Sequence, residues 1–183
     1  MNMRNLLRKM GQKTFRPGNA AAMFMLNATN PETIKLARAG MVGVGMKVQR
    51  LANDLLRVVA RNGERFTGTS VRQSLQGEGF VHGDMQIFHR SAGDGRTLLS
   101  AASLTMPGSF DLATMDAGFY RGLNLFAVLP GPLPGRDTVD KLLLSGHTLA
   151  QRLRGDLLDS RGEPLTESRL AEMRREAAAA DPG

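Results

Sequence analysis

The segment 122–129 constrains the fold most, because it carries apolar side chains on both faces of the strand that its pattern predicts. Alternate positions are Leu123, Leu125, Ala127 and Leu129 on one face, and Asn124, Phe126 and Val128 on the other. A sheet that helices cover on one side normally alternates apolar and polar residues along each strand. The central sheet is therefore predicted to have apolar residues on both of its faces.

Turn signals and apolar spacing divide residues 54–183 into nine elements in the order β-α-β-β-β-α-β-β-α. The first strand is imperfect, because its face with Leu55 and Val59 also carries Arg57. The order predicts an α+β fold, with a mostly antiparallel sheet and its helices on one face. The predicted strands are 55–60, 80–90, 98–106, 122–129, 156–159 and a short one around Pro164, and the predicted helix caps are Thr69, Asp137 and Thr166.

One layer of helices in a chain of 183 residues covers only one face of such a sheet. We therefore predict an exposed apolar patch on the other face, built from Met85, Leu104, Met106 and Phe126. Methionine is flexible and polarizable, so this surface suits a groove that accepts an amphipathic helix. The alternative is that the N-terminal segment folds over this face.

The net charge of +7 is concentrated in the first third of the chain. Residues 1–62 carry 11 basic and 2 acidic side chains, whereas residues 63–183 carry 13 basic and 15 acidic ones. We predict that residues 1–53 form a basic arm, partly helical or disordered, beside a folded domain over 54–183. The arm has three interpretations: a solvated segment, a nucleic-acid-binding segment, or one that adheres to anionic lipid.

The apolar run 20–28 is about half the length of a membrane-spanning helix and makes a poor secretion signal, so the chain is expected to be cytoplasmic. Without cysteine, the chain has no disulfide scaffold and no thiolate metal site. Its three histidines lack carboxylates at metal-ligand spacing, and its serines lack a nucleophile motif. We therefore expect no enzyme activity, metal or cofactor.

Four runs of residues carry a family resemblance: Gly83-Asp-Met-Gln-Ile-Phe-His-Arg90, Ser100-Ala-Ala-Ser-Leu-Thr-Met-Pro-Gly-Ser-Phe-Asp111, residues 123–130, and Leu157-Leu158-Asp159. From about residue 54 onward they resemble the C-terminal FtsZ-binding domain of the ZipA family of bacterial cell division proteins. The resemblance implies a split β-α-β fold whose helix-free sheet face forms a shallow hydrophobic groove for the C-terminal tail peptide of FtsZ. It also implies a non-catalytic adaptor that links the division ring to the cytoplasmic face of the inner membrane.

Carried over position by position, the family's groove contacts fall on residues of four segments of this chain. Leu55 is expected to form one edge of the groove. The full set of expected peptide contacts is Leu55, Asp84, Met85, Ala102, Ser103, Leu104, Met106, Asn124 and Phe126.

The chain departs from the family at two places. Family members can carry lysine where this chain has Met106, so we expect apolar contacts to sustain binding and salt to affect it little. Residues 1–54 match neither the family's spanning helix nor its linker. A truncated or mis-started gene product, and a divergent member attached by a basic segment or a partner, both remain open.

An RNA-recognition module is the rival interpretation, because it too has a bare sheet face and this element order. Such a module stacks bases on two or three aromatic rings, whereas the open face offers only Phe126. Residues 63–183 are also slightly acidic overall. Nucleic acid is therefore expected to bind, if at all, only through the basic arm.

Overall fold

The computed structural model describes residues 55–181, so the predicted arm 1–53 and its boundary lie outside the described residues. Short 3-10 turns cover Arg61–Gly63, Asp84–Gln86 and Met115–Ala117. The strands and helices are β1 Leu56–Val59, β2 Phe66–Thr67, α1 Gly68–Gly77, β3 Val81–His82, β4 Phe88–Ser91, β5 Thr97–Ser103, β6 Phe119–Tyr120, β7 Gly122–Phe126, α2 Gly135–Leu153, β8 Asp156–Leu158 and α3 Glu167–Ala178.

Six strands form one sheet in the order β3-β4-β5-β7-β1-β8, and every neighbouring pair is antiparallel. The short strands β2 and β6 pair separately. The two central strands β5 and β7 pair with Ala101 opposite Leu125 and Ala102 opposite Asn124. The predicted α+β class and mostly antiparallel sheet are confirmed.

The helices cover one face of the large sheet. Leu56 and Val58 of β1 point into that layer with Leu125 of β7, and all three are fully buried. Helix α2 packs on β1, β7 and β8, while α1 and α3 pack on α2. Since Leu142 and Leu149 of α2 belong to the same core, the apolar stripe of that helix explains which way it faces. Within residues 55–181, no helix combines the length and the apolarity needed to cross a bilayer.

Several predicted element bounds are wrong. The strand expected over 80–90 is a hairpin of β3 and β4, because the 3-10 turn between them takes Met85 and Gln86 to φ values of 62° and 56°. The strand expected over 98–106 ends at Ser103, where the chain turns and the amide of Gly108 donates to the carbonyl of Thr105. The strand expected over 122–129 ends at Phe126. Around Pro164 there is a single bridge to Leu158.

The helix starts show which capping signals operate. Thr67 caps α1 instead of Thr69, since its side-chain oxygen accepts from the amide of Ser70. Helix α2 begins after Pro134, which places Asp137 in its first turn and not at its cap. Thr166 caps α3 as predicted.

A buried carboxylate anchors the turn that connects β8 to α3. Asp159 is 4% exposed, and its Oδ1 accepts from the amides of Arg161 and Glu163 at 2.8 and 2.9 Å. Its Oδ2 lies 3.9 Å from Nε of Arg169. Desolvation alone would raise the pKa of Asp159, but the two amide hydrogen bonds and the nearby Arg169 charge outweigh it, so the pKa lies below its ordinary value.

We expect Asp159→Ala to lower the free energy of unfolding at pH 7 by about 2–3 kcal/mol, because buried donors lose their acceptor. Because the pKa of Asp159 is lower in the folded protein than in the unfolded chain, its carboxylate stabilises the fold at pH values above the unfolded pKa of about 3.9. This stabilisation is lost as the pH falls through the pKa of the folded state. The gap between wild type and variant in urea unfolding should therefore narrow below about pH 4. Asp156→Ala, which removes an exposed carboxylate paired with Arg61, is the control. A gap that stays constant with pH would contradict the assignment.

Candidate functional site

A second, smaller apolar cluster lies on the sheet face that the helices leave uncovered. Ile87, which directly precedes β4, packs with Ala102 of β5 and Phe126 of β7, and each of the three is 1% exposed or less. Leu55 and Met85 are half-buried and pack against them from opposite sides. We call these five residues the groove floor. They form a small apolar cluster on this face, with the ring of Phe126 buried among the other four side chains.

The described structure brings most of the predicted contact residues to this face. Ala102, Asn124 and Phe126 lie on the sheet, Leu55 and Met85 flank it, and Leu104 and Met106 follow the end of β5. Asp84 is exposed in the turn before Met85. Ser103 pairs with Leu123 of the helix-side core, so it alternates away from this face, and its hydroxyl accepts from the amide of Thr105.

The predicted patch differs from the observed surface in one respect. Met106 is 62% exposed, as expected of a patch residue, and Leu104 is half-buried. Phe126, in contrast, is 1% exposed because Met85, Leu55 and the neighbouring strands enclose its ring. The prediction that Phe126 is exposed is wrong: its ring forms the floor beneath the accessible methionine and leucine side chains.

The hydrogen bonds that fix the backbone around Met85 were not predicted from the sequence. In His89, Nε2 lies 3.0 Å from the carbonyl of Asp84 and Nδ1 lies 2.9 Å from the hydroxyl of Ser100. The neutral ring satisfies both contacts if Nε2–H donates to the carbonyl and Nδ1 accepts from the hydroxyl. The carbonyl of Gln86 also accepts from the amide of Phe110 at 2.7 Å. These bonds hold Met85 in a left-handed conformation that non-glycine residues rarely adopt.

A depression of about 370 Å³ adjoins the groove floor at Met85. It lies between strands β4 and β5 on one side and the proline-containing loop that follows β7 on the other. The depression is mostly apolar, and residues lining it include Met85, His89, Leu98, Ser100, Val128 and Pro130. An extended or helical segment lying on the groove floor can therefore place a further apolar side chain here.

The open face, as far as residues 55–181 describe it, differs from an RNA-binding surface. Residues 55–181 contain no group of three side chains able to hold a metal ion. Phe126, the aromatic residue that an RNA base would need, is too deeply buried to offer a stacking surface. The chemistry of this face is that of an apolar docking surface.

The comparisons with known proteins concern this same region. The family model described as "ZipA, C-terminal FtsZ-binding domain" matches residues 55–176. Cell division protein ZipA of Azotobacter vinelandii is 35% identical over 124 residues, which is 66% of this chain and 44% of that protein. The ZipA of Pseudomonas aeruginosa strain LESB58 is 34% identical over 124 residues, covering 66% and 43%. The match thus spans less than half the length of these curated relatives.

Proposed function

Because the chain belongs to the ZipA family through its C-terminal FtsZ-binding domain, we propose that its helix-free sheet face binds the C-terminal tail of FtsZ. The observation that carries the proposal is the groove floor. Its three buried residues lie on a face that the described helices leave bare, and Leu55 and Met85 beside them are only half-buried, so a partner can cover the apolar surface that they still expose. The proposed role is that of a non-catalytic adaptor in cell division.

In the proposed complex the tail lies as an amphipathic segment along the groove floor. Phe126 and Ala102 form the base, and Leu55 and Met85 close over the apolar side of the peptide. Leu104 and Met106 extend this contact beyond β5, while Asp84 and Asn124 offer polar groups at either side. Ser103 contributes through the backbone turn that positions Leu104, since its own side chain faces the helices.

Apolar burial is the main source of the proposed affinity. Covering a side chain such as Met106, which is 62% exposed, contributes roughly 1.5–3 kcal/mol, whereas an exposed ion pair contributes about 0–1 kcal/mol. We therefore expect affinity for the tail to change little between low and physiological salt, since salt screens charges and not apolar contacts. A steep fall in affinity with salt would instead favour a charge-driven partner.

Residues 1–53 are proposed to act outside the binding unit formed by 54–183. Positive charge in the first third of the chain suits an anionic surface at the cytoplasmic face of the inner membrane, where each basic residue near the surface contributes about 1 kcal/mol. Flotation with vesicles that contain anionic lipid, using the full chain and residues 54–183, tests this attachment. Flotation of both proteins alike would contradict it.

The groove is tested by two substitutions at Met85 that separate binding from folding. Its φ of 62° suits glycine, so Met85→Gly should be about 1 kcal/mol more stable than Met85→Ala. Both variants remove the same thioether side chain from the groove. We therefore expect both to weaken binding of a labelled FtsZ tail peptide by about tenfold, as burial of one methionine implies. If wild-type protein fails to bind the peptide, or both variants bind like wild type, the groove assignment is wrong.

A further inference from the structure

The four methionines within residues 55–181 divide into two buried and two accessible side chains. Met115 and Met173 are at most 1% exposed and belong to the core on the helix side of the sheet. Met106 is 62% exposed in the turn after β5, and Met85 is half-buried in the groove floor. The accessible methionines are therefore the two that belong to the proposed binding face.

Leu104 links Met106 to the helix-free face. Residue 104 continues the pairing of β5 with β7, because its amide donates to the carbonyl of Gly122 at 2.9 Å. Strand side chains alternate, so Leu104 lies on the same face as Ala102, two residues earlier. A methyl group at Gly122 would lie 3.0 Å from Cδ2 of Leu104, which agrees with this placement. Met106 follows two residues later, at the border of the face.

The backbone of this turn is held without help from the Met106 side chain. The amide of Gly108 donates to the carbonyl of Thr105, and the amide of Ser103 donates to the carbonyl of Gly108, both at 2.9 Å. Main-chain atoms therefore close the turn, while the Met106 thioether projects largely into solvent. A chemical change at its sulfur alters the surface of the face and leaves the fold intact.

Peroxides convert the thioether of methionine into a sulfoxide, which turns a flexible apolar side chain into a polar one. A sulfur lone pair attacks one oxygen of hydrogen peroxide, the O–O bond breaks and an S–O bond forms. The proton of the transferred oxygen passes to the leaving hydroxide, which departs as water. Sulfur is thereby oxidised by two electrons and the peroxide is reduced. Because the peroxide must reach the sulfur, exposure favours Met106 first and Met85 second.

We propose that Met106 and Met85 form a peroxide-sensitive site, and that their oxidation weakens binding of the FtsZ tail to the helix-free face. The inference rests on the proposed function, because the oxidised side chains must lie under the docked peptide. A sulfoxide oxygen covered by apolar peptide side chains loses its water and gains no donor, which is costly. Methionine sulfoxide reductases regenerate the thioether, so the change is reversible.

The site is tested by treating the full chain with hydrogen peroxide, removing the peroxide, and titrating the protein with labelled FtsZ tail peptide. Peptide mass spectrometry locates the added oxygen. We expect sulfoxide at Met106 first and at Met85 second, with Met115 and Met173 unmodified. Binding of the tail should weaken about tenfold and recover after treatment with methionine sulfoxide reductases. Unchanged binding by protein that carries both sulfoxides would overturn the proposal.

Leucine substitutions separate these two sulfurs from the others. Met106→Leu and Met85→Leu keep a similar apolar volume, so before treatment each should bind the tail within about threefold of wild type. After treatment, the double variant should keep its affinity, although the seven methionines of residues 1–54 can still be oxidised. Met173→Leu is the matched control and should stay as sensitive to peroxide as wild type. Equal loss of binding in the double variant and wild type would overturn the site.

Urea unfolding of the oxidised protein distinguishes a surface effect from loss of the fold. We expect the unfolding midpoint of oxidised wild type to match that of the untreated protein, since the main chain holds the turn of Met106. A lowered midpoint that accounts for the lost binding would contradict the proposal. Failure of untreated wild type to bind the tail is a separate result, which would reject the groove and this inference together.

Discussion

Phe126→Ala lowers the free energy of unfolding by about 3 kcal/mol and abolishes measurable binding of the FtsZ tail. The ring is 1% exposed and packs with Ile87, Ala102, Leu55 and Met85. Its removal loses the transfer free energy of a phenyl group and leaves a cavity, for which phenylalanine-to-alanine changes typically cost about 3–5 kcal/mol. We take the lower end, because the open face lets neighbouring side chains relax into the space.

Urea unfolding followed by peptide titration separates the two effects of this substitution. A domain of ordinary stability, about 5–15 kcal/mol, stays mostly folded after the loss. Phe119→Ala is the matched control, because this phenylalanine is 63% exposed on the short β2–β6 ribbon. We expect that variant to differ from wild type by about 0.5 kcal/mol or less and to bind normally. Equal destabilisation by both variants would contradict the placement of Phe126.

Gly68→Ala is expected to cost about 2–3 kcal/mol, although alanine normally favours a helix. The amide of Gly68 donates to the carbonyl of Gly118 at 2.8 Å, where α1 begins against the 3-10 turn Met115–Ala117. A methyl group at this position would overlap the backbone carbonyl of Met115, which cannot rotate away as a side chain can. The helix must therefore move away from the turn, or the turn must open.

Gly77→Ala in the same helix is the matched control. Its added methyl would meet the guanidinium of Arg152, the flexible end of a long side chain, at 2.7 Å. We expect the change in unfolding free energy to stay within about 1 kcal/mol of zero. Urea unfolding of the two variants compares the same substitution in one helix, and similar losses at both positions would contradict the close approach of α1 to Met115.

The sequence pattern was sufficient for the fold class but not for local backbone geometry. Leu123 and Leu125 on one face and Asn124 and Phe126 on the other are predictable, because strand side chains alternate strictly. The left-handed turn at Met85 was not predictable, because methionine gives no signal for positive φ. Its stability depends on contacts from His89 and Phe110 that lie on other strands and loops.

Two predicted helix caps were wrong for a related reason. Thr67 and Thr69 are equally good caps by composition, and the tertiary contact of Gly68 with the turn after Met115 decides between them. Asp137 was misassigned because proline followed by glycine can also begin a helix, as Pro134 and Gly135 do here. At Thr166 no competing signal is present, and the predicted cap is confirmed.

Within the candidate site, the apolar residues were easier to predict than their exposure. Phe126 was assigned to the correct face, but its burial depends on Leu55 and Met85, which approach from different strands and turns. The sequence showed Arg57 as a charged residue on a strand face that is otherwise apolar. Its position beside Asn124 follows only from the register of β1 and β7, which the sequence pattern left open.

The central claim is that the tail of FtsZ binds the sheet face without helices. Amide chemical-shift mapping of the isotope-labelled chain, titrated with unlabelled tail peptide, tests it most directly. We expect saturable shifts at Met85, Ile87, Ala102 and Phe126 and little change along the outer face of α2. Shifts concentrated on α2 and α3, or no shifts in excess peptide, would contradict the account.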